Sequence, residues 1–367
     1  MSFLIITSLL KILGIVFLVI LPLVSYSVYA ERRVSALIQD RLGPNRVGPA
    51  GLFQPIADAA KFLLKEQLTP GHVNKLYYYL APCLAMIPAI MTIAIVPFGS
   101  TILGVPMVIA DINVGVLYVF AIASLGVYGI VLAGWSSNSK YPFLGGVRSS
   151  SQMISYELSL GLAVIPVFLL TGQLRLTSVV QYQIEHGWMI APFLGDWTNP
   201  TKWLLAIPMW ISFLVFMIAI FAETNRLPFD LPEAEQELAG GYHTEYAAMK
   251  FGLFFLGEYA AMITGSAVIV TLFLGGWHLP IPSWDGQFHW VVLDGSAPGW
   301  RGIVGGLFNI VTFFVKLSAL LFFFIWVRWT LPRFRYDQLM RLGWVFFFEI
   351  ALANIFVTAI IIAYFPA

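Results

Sequence analysis

Residues Trp203 to Phe221 read WLLAIPMWISFLVFMIAIF, and the chain then passes through Ala222 to Glu223-Thr224-Asn225-Arg226. An uncharged apolar run of that length can cross a bilayer. A helix rises about 1.5 Å per residue and the hydrocarbon core is about 30 Å thick. Comparable stretches recur along the chain and predict spans at 4–30, 76–99, 114–134, 151–171, 202–222, 246–276, 303–330 and 342–365. Composition agrees: 59% of the 367 residues are hydrophobic and 11% are charged, against about 25% charged in a soluble domain. The expected fold is an all-α polytopic membrane protein, one membrane domain over 1–367, with about eight transmembrane helices. The first run, Leu4 to Leu23, lacks a basic start and a small-residue cleavage site. It therefore reads as a retained span and not a signal peptide.

Lysine and arginine placement predicts orientation. The loops at 31–75, 135–150, 223–245 and 328–341 carry 14 basic residues, whereas those at 100–113, 172–202 and 277–302 carry 3. The first set is expected on the cytoplasmic side, with both termini on the far side. The far-side loops are poor in charge and hold Trp188, Trp197, Trp203, Trp277, Trp284, Trp290 and Trp300, as an interfacial aromatic belt would.

Several chemistries are disfavoured. The one cysteine, Cys83, lies in an apolar stretch, so neither a disulfide framework nor an iron–sulfur cluster ligated by this chain alone is expected. No histidine pair sits on facing spans, which argues against a bis-histidine haem. No Gly-rich phosphate loop follows a strand pattern, and nothing points to nucleic acid.

The chemistry concentrates in the cytoplasmic loops. The first reads Gln39-Asp40-Arg41-Leu42-Gly43-Pro44-Asn45-Arg46-Val47-Gly48-Pro49, a succession of turn signals. Leu52 to Leu68 then sets Phe53, Ile56, Ala60, Leu63 and Leu64 against Asp58, Lys61, Lys65 and Glu66. That is the pattern of an amphipathic helix in the membrane interface, where simple anchoring is the plain alternative to a further role. The third loop continues Leu227-Pro228-Phe229-Asp230-Leu231-Pro232-Glu233-Ala234-Glu235-Gln236-Glu237. Seven acidic residues fall between Glu223 and Glu258. A solvated face would explain acidity alone, but the Leu-Pro-Phe and Leu-Pro steps call for burial.

Charges inside spans are the sharper signal. Glu157 is expected about six residues into the fourth span, ~9 Å deep. Glu258 lies within the sixth and Lys316 near the middle of the seventh. A charge at the bilayer centre costs ~2.5–3.5 kcal/mol or more, so such groups face a partner or a wet cavity. A buried Glu258–Lys316 ion pair is the structural alternative. Carboxylates crowded together keep their protons to higher pH, which would let a row of them hand protons along.

Taken in order, Glu31-Arg32-Arg33, the Gly43-Pro44-Asn45-Arg46-Val47-Gly48-Pro49 loop, Gln54-Pro55-Ile56-Ala57-Asp58, Ser155-Tyr156-Glu157, Ala222-Glu223-Thr224-Asn225-Arg226, Pro228-Phe229-Asp230-Leu231 and Arg335-Tyr336-Asp337-Gln338-Leu339-Met340 resemble one family. It is the membrane subunit of respiratory complex I that adjoins the peripheral arm, called subunit 1 when mitochondrially encoded. The resemblance covers nearly the whole chain. It implies a subunit of the proton-pumping NADH:quinone oxidoreductase with no redox centre of its own. Quinone is the implied substrate, with FMN and iron–sulfur clusters in partner subunits. The implied partners are the peripheral-arm quinone-site subunits, small membrane subunits and lipid. The implied location is a bacterial plasma (inner) membrane or an organellar inner membrane.

Carried over residue by residue, the resemblance puts Arg32, Arg41, Asp58, Arg226 and Arg328 near a quinone channel. The channel mouth is implied beside the first span, the amphipathic helix and the sixth span. Glu157, Glu223, Glu233, Glu235, Glu245 and Glu258 fall on the implied proton path, to which the buried Lys316 is added. Tyr336 and Asp337 belong to the last loop motif. After Leu342-Gly343-Trp344, relatives commonly continue with a basic residue and a Leu-Pro step. This chain reads Val345-Phe346-Phe347-Phe348-Glu349-Ile350 instead, so no family role is carried onto Glu349. Two rival readings stay open here: a stand-alone ion or solute transporter, and the related subunit of a membrane-bound hydrogenase.

Overall fold

The computed structural model describes residues 12–102, 104–196, 198–230, 240–282, 288–290, 295 and 299–365. Ten helices organise them. The helices long and apolar enough to cross a membrane are eight: α1 (Ile12–Ile38), α3 (Lys75–Ile95), α4 (Gly115–Ser136), α5 (Lys140–Thr171), α7 (Pro200–Glu223), α8 (Ala248–Phe273), α9 (Trp300–Thr330) and α10 (Tyr336–Tyr364). Two shorter helices, α2 (Gln54–Leu64) and α6 (Leu176–His186), lie between them. The strands are two short antiparallel pairs, β1 (Thr101–Ile102) with β2 (Val105–Pro106) and β3 (Pro280–Pro282) with β4 (Phe288–Trp290).

Helix α8 is the hub. It packs against α1, α2, α3, α6, α7 and α9. Lipid is as apolar as leucine, so helices in a membrane associate through close packing and polar contacts, with small residues at the seams. The α8 segment Gly257 to Ala267 supplies them: Gly257, Ala260, Gly265, Ser266 and Ala267 are all buried. The α3–α4 seam depends on the same device. A Cβ added at Gly129 would come within 2.6 Å of the Ala85 backbone nitrogen.

All motif-bearing connections gather at one end of the bundle. The Asn74 backbone N–H donates to Ser136 O (3.0 Å), the Asn138 amide to His72 O (3.2 Å) and the Phe334 N–H to Pro228 O (3.2 Å). The loop after α1 is a packed turn, as its glycines and prolines predict. Arg33 Nη1 donates to Pro44 O (3.1 Å) and Ala50 O (3.3 Å), and Tyr29 OH donates to Ala50 O (2.6 Å). Gly51 has φ +79°, and a Cβ there would meet Pro44 O at 2.2 Å, so glycine is required.

Several expectations change. The fourth span begins at Lys140, not near 151, making α5 a helix of 32 residues with Glu157 deep inside it. The run from Lys140 to Ser151, with its charges, proline and Gly-Gly step, looks like a loop in sequence, but its glycines lie on the packed face. Gly134 and Gly146 bring α4 and α5 backbones together. The far-side connection at 172–202 contains α6, which was not expected. The amphipathic helix is shorter than 52–68, because the backbone turns extended at Lys65. Of the belt tryptophans, Trp203 and Trp300 are exposed but Trp277 is buried. Trp197 and Trp284 lie outside the described residues.

Candidate functional site

At the motif-bearing end, charged side chains from three helices and the loop after α7 meet. Glu31, on the buried face of α1, accepts a hydrogen bond from Tyr259 OH of α8 (2.5 Å) and pairs with Arg328 at the end of α9. Arg226 sits between them, 3.6 Å from Glu31 Oε2 and 3.9 Å from Glu258 Oε2. Its guanidinium lies 4.1 Å from the centre of the Tyr259 ring. Tyr242 OH donates to Glu258 Oε1 (3.3 Å). Glu31 and Arg226 are only 8% and 6% exposed, so this is a buried charge cluster. Burial opposes the Arg226 charge, but Tyr259, Glu258 and Glu31 outweigh it and hold the group well above the ordinary arginine value. Its Nε and Nη2 have no hydrogen-bond partner among the described residues.

The turn that delivers Arg226 is fixed from α5. The Gln152 side-chain amide donates to Ala222 O (2.8 Å) and Phe229 O (2.9 Å), and Ser149 donates to Asn225 Oδ1 (3.3 Å). Asn225 takes a left-handed conformation (φ 48°), which Asn tolerates better than most residues. Phe229 packs between Tyr156 and Phe334, and Arg333 pairs with Asp230 at 3.2 Å. Pro228 and Phe229 of the Leu-Pro-Phe step are buried, as their apolar character requires.

Two cavities flank the cluster. One, of about 360 Å³, lies between α1, α2 and α8, with Val28, Arg32, Asp58, Phe62, Phe255 and Tyr259 in its walls. The other, of about 90 Å³, lies inside the bundle and is lined by apolar groups together with Glu223, Asn225, Tyr242 and Glu258. Tyr259 faces the first cavity and its neighbour Glu258 the second. Consecutive helical residues point about 100° apart, so one turn of α8 forms a wall to both.

The sequence-predicted residues divide accordingly. Arg226, Arg328 and Glu258 belong to the cluster. Arg32 and Asp58 form an ion pair at 2.7 Å on the rim of the larger cavity, steadied by Gln54 (3.0 Å to Asp58). Glu223 lines the smaller cavity. Glu157 lies against Ser124 and close enough to Glu223 for their charges to interact. Glu245 is nearby, its carbonyl accepting from Tyr78 OH (2.7 Å). Arg41 is exposed on the turn, away from the cluster. Glu233 and Glu235 lie outside the described residues.

Lys316 is not brought to this site, and it does not pair with Glu258. Its Nζ donates to the carbonyls of Leu274 (2.6 Å), Gly276 (2.9 Å) and His278. Leu274 follows Glu258 by sixteen residues, about 24 Å along the helix. Lys316 therefore caps the opposite end of α8, where a cation complements unpaired carbonyls. Tyr336 shares a hydrogen bond with Ser151 (2.7 Å) and Asp337 pairs with Arg335 (2.5 Å). These contacts build the start of α10 and its seat on α5.

Two members of the cluster were missed as site residues, Glu31 and Tyr259. Val24, Ser27, Glu31 and Ser35 are all buried at helical spacing. That periodicity marks one inward face and is the signal that could have found Glu31. Tyr259 is signalled only by its place beside Glu258.

Comparison with known proteins gives a consistent result. A family model described as NADH dehydrogenase matches residues 10–359. The chain is 46% identical over 370 residues to an H-type subunit of the NADH-quinone oxidoreductase of Koribacter versatilis, covering 97% of each chain. It is 47% identical over 350 residues to an H-type subunit of the Geobacter sulfurreducens enzyme, covering 94% of each. It is 48% identical over 342 residues to NADH-quinone oxidoreductase subunit 8 of Rhodothermus marinus, covering 93% of each. The chain belongs to the NADH dehydrogenase family, as a multi-pass, H-type membrane subunit of the complex I oxidoreductase.

Proposed function

We propose that this subunit forms much of the quinone-access channel of the complex and couples quinone reduction to proton translocation through its buried carboxylates. The observation that carries the proposal is the α8 wall. Tyr259 borders the larger cavity and hydrogen-bonds Glu31, while Glu258 borders the smaller cavity beside Glu223. The larger cavity has the size of a small-ligand site, which starts at about 300 Å³. Its apolar lining and its position between α1, α2 and α8 suit a lipid-soluble headgroup arriving from the bilayer. The exposed apolar residues of α2, Ile56, Leu63 and Leu64, suit a lipid surface at that mouth.

Coupling would be electrostatic. At an effective dielectric of about 20, unit charges 4 Å apart interact by about 4 kcal/mol. Reduction of a headgroup near the cluster would disturb Arg226 and its carboxylates on that scale. The disturbance would pass through Glu258 and Glu223 to Glu157 as a change in proton occupancy. Electrons would come from iron–sulfur clusters and FMN in partner subunits of the peripheral arm. Basic loops would face the cytoplasm across a bacterial inner membrane.

A photoreactive short-chain quinone, applied to the intact complex in native membranes, tests the channel assignment. Label is expected within residues 24–32, 54–63 or 249–259 of this chain, the segments around the larger cavity. Labelling of the complex exclusively outside those segments would refute it.

A further inference from the structure

Helix α10 presents two faces at the same spacing, and the chain fills only one. Ala351, Asn354, Thr358 and Ile361 are buried against the rest of the bundle. Its polar members are engaged within the bundle: Asn354 Nδ2 donates to Pro208 O and Ser212 Oγ of α7, both at 2.9 Å, and Thr358 Oγ1 donates to Asn354 O (2.8 Å). The outward face repeats the arrangement with Phe346, Glu349, Ala353, Phe356 and Ile360, none of them buried. Steps of three and four residues are the spacing of a helix–helix seam, and Ala353, one turn from Glu349, leaves room for close approach.

Glu349 is the polar member of this outer face. It makes no ion pair or hydrogen bond among the described residues. It lies about 12 Å beyond Arg341 along the helix, inside a hydrocarbon layer about 30 Å thick. Reaching the interface from such a depth is open to long lysine and arginine side chains, not to glutamate. Ionisable groups at membrane depth face partners or wet cavities, and lipid tails offer no donor.

We propose that the outward face of α10 is a docking seam for a transmembrane helix of another subunit of the complex, one that presents a basic side chain at the depth of Glu349. Membership of a multisubunit complex supplies such chains. A second copy of this chain is disfavoured, because a symmetric contact on this face would set one Glu349 against another.

The test is site-specific photo-crosslinking in the intact, membrane-embedded complex, with a photoreactive residue at position 356 or 360. The expected product joins this chain to a different membrane subunit, at a helix with Lys, Arg or His within a turn of the depth of Glu349. Adducts to lipid alone, or to a second copy of this chain, would overturn the proposal. Glu349→Leu should also reduce retention of that partner in mild detergent by about tenfold or more, the usual consequence of removing one member of a buried charge pair. Full retention in that variant would likewise overturn it.

Discussion

Arg226 and Lys316 are cations inside a membrane bundle, the first buried and the second half-buried, and they are held in opposite ways. Arg226 is surrounded by Glu31, Glu258 and the ring of Tyr259, groups from two helices that border two cavities. Lys316 is surrounded by main-chain carbonyls at the far end of α8, with the Trp188 ring 4.3 Å away. A carboxylate partner can gain or lose a proton, so its cation responds to chemistry nearby. A carbonyl partner cannot, so its cation fixes a backbone. Under the proposed function, the middle of α8 would be responsive and its C-terminal end anchored.

The comparison can be broken by substitution. Arg226→Met leaves Glu258 without its cation, while Glu31 keeps Arg328. Uncompensated buried charge costs about 3–5 kcal/mol. The expected outcome is a large loss of assembled complex, with quinone reductase activity abolished in what remains, measured by native gels and turnover. Wild-type assembly and turnover would contradict the role given to the cluster.

Lys316→Met is expected to do less. It removes a cap from buried carbonyls, at about 1–3 kcal/mol. Thermal inactivation should come earlier, while turnover per assembled complex stays near wild type. A selective loss of proton pumping would move Lys316 from anchor to proton path and erase the distinction between the two regions of α8.

The smallest effect concerns pH. Burial, and then the neighbouring Lys316 charge, push His278 down to about 4 from its ordinary 6.5. The unfolded chain therefore takes up a proton that the folded chain refuses. The stability this lends is complete above pH 6.5 and is lost as pH falls towards about 4. Thermal inactivation across that window should show a decline that His278→Gln flattens. An identical decline in the variant would assign it to other groups.

Much of the fold was legible because span length and apolar character are set by the bilayer itself. The eight spans follow from that constraint, as does the gathering of charged motifs at one end. The limits of α5 were not legible. Lys140 to Ser151 carries two charges, a proline, a Gly-Gly step and three serines, and the close approach of Gly134 and Gly146 explains why it continues as helix in the packed bundle. Within the site, Glu258 stood out as a charge inside a span and Arg226 and Arg328 through the family resemblance, and they meet. Glu31 did not, because a glutamate followed by two arginines reads as the edge of a loop. Its role depends on which way the end of α1 faces. Lys316 drew notice for the same reason as Glu258, yet cost alone does not distinguish a cap from a relay. The partner atoms do, and those are fixed by tertiary structure.

The central claim is that the α8 wall transmits quinone chemistry to the acidic groups, and Glu258→Gln tests it most directly. Glutamine keeps the shape and can still accept from Tyr242, but it cannot exchange a proton. Quinone reduction and proton release would be measured together on the complex reconstituted into liposomes. The account predicts intact assembly with turnover, or protons moved per quinone reduced, lowered severalfold. Normal turnover with a normal proton yield would contradict it.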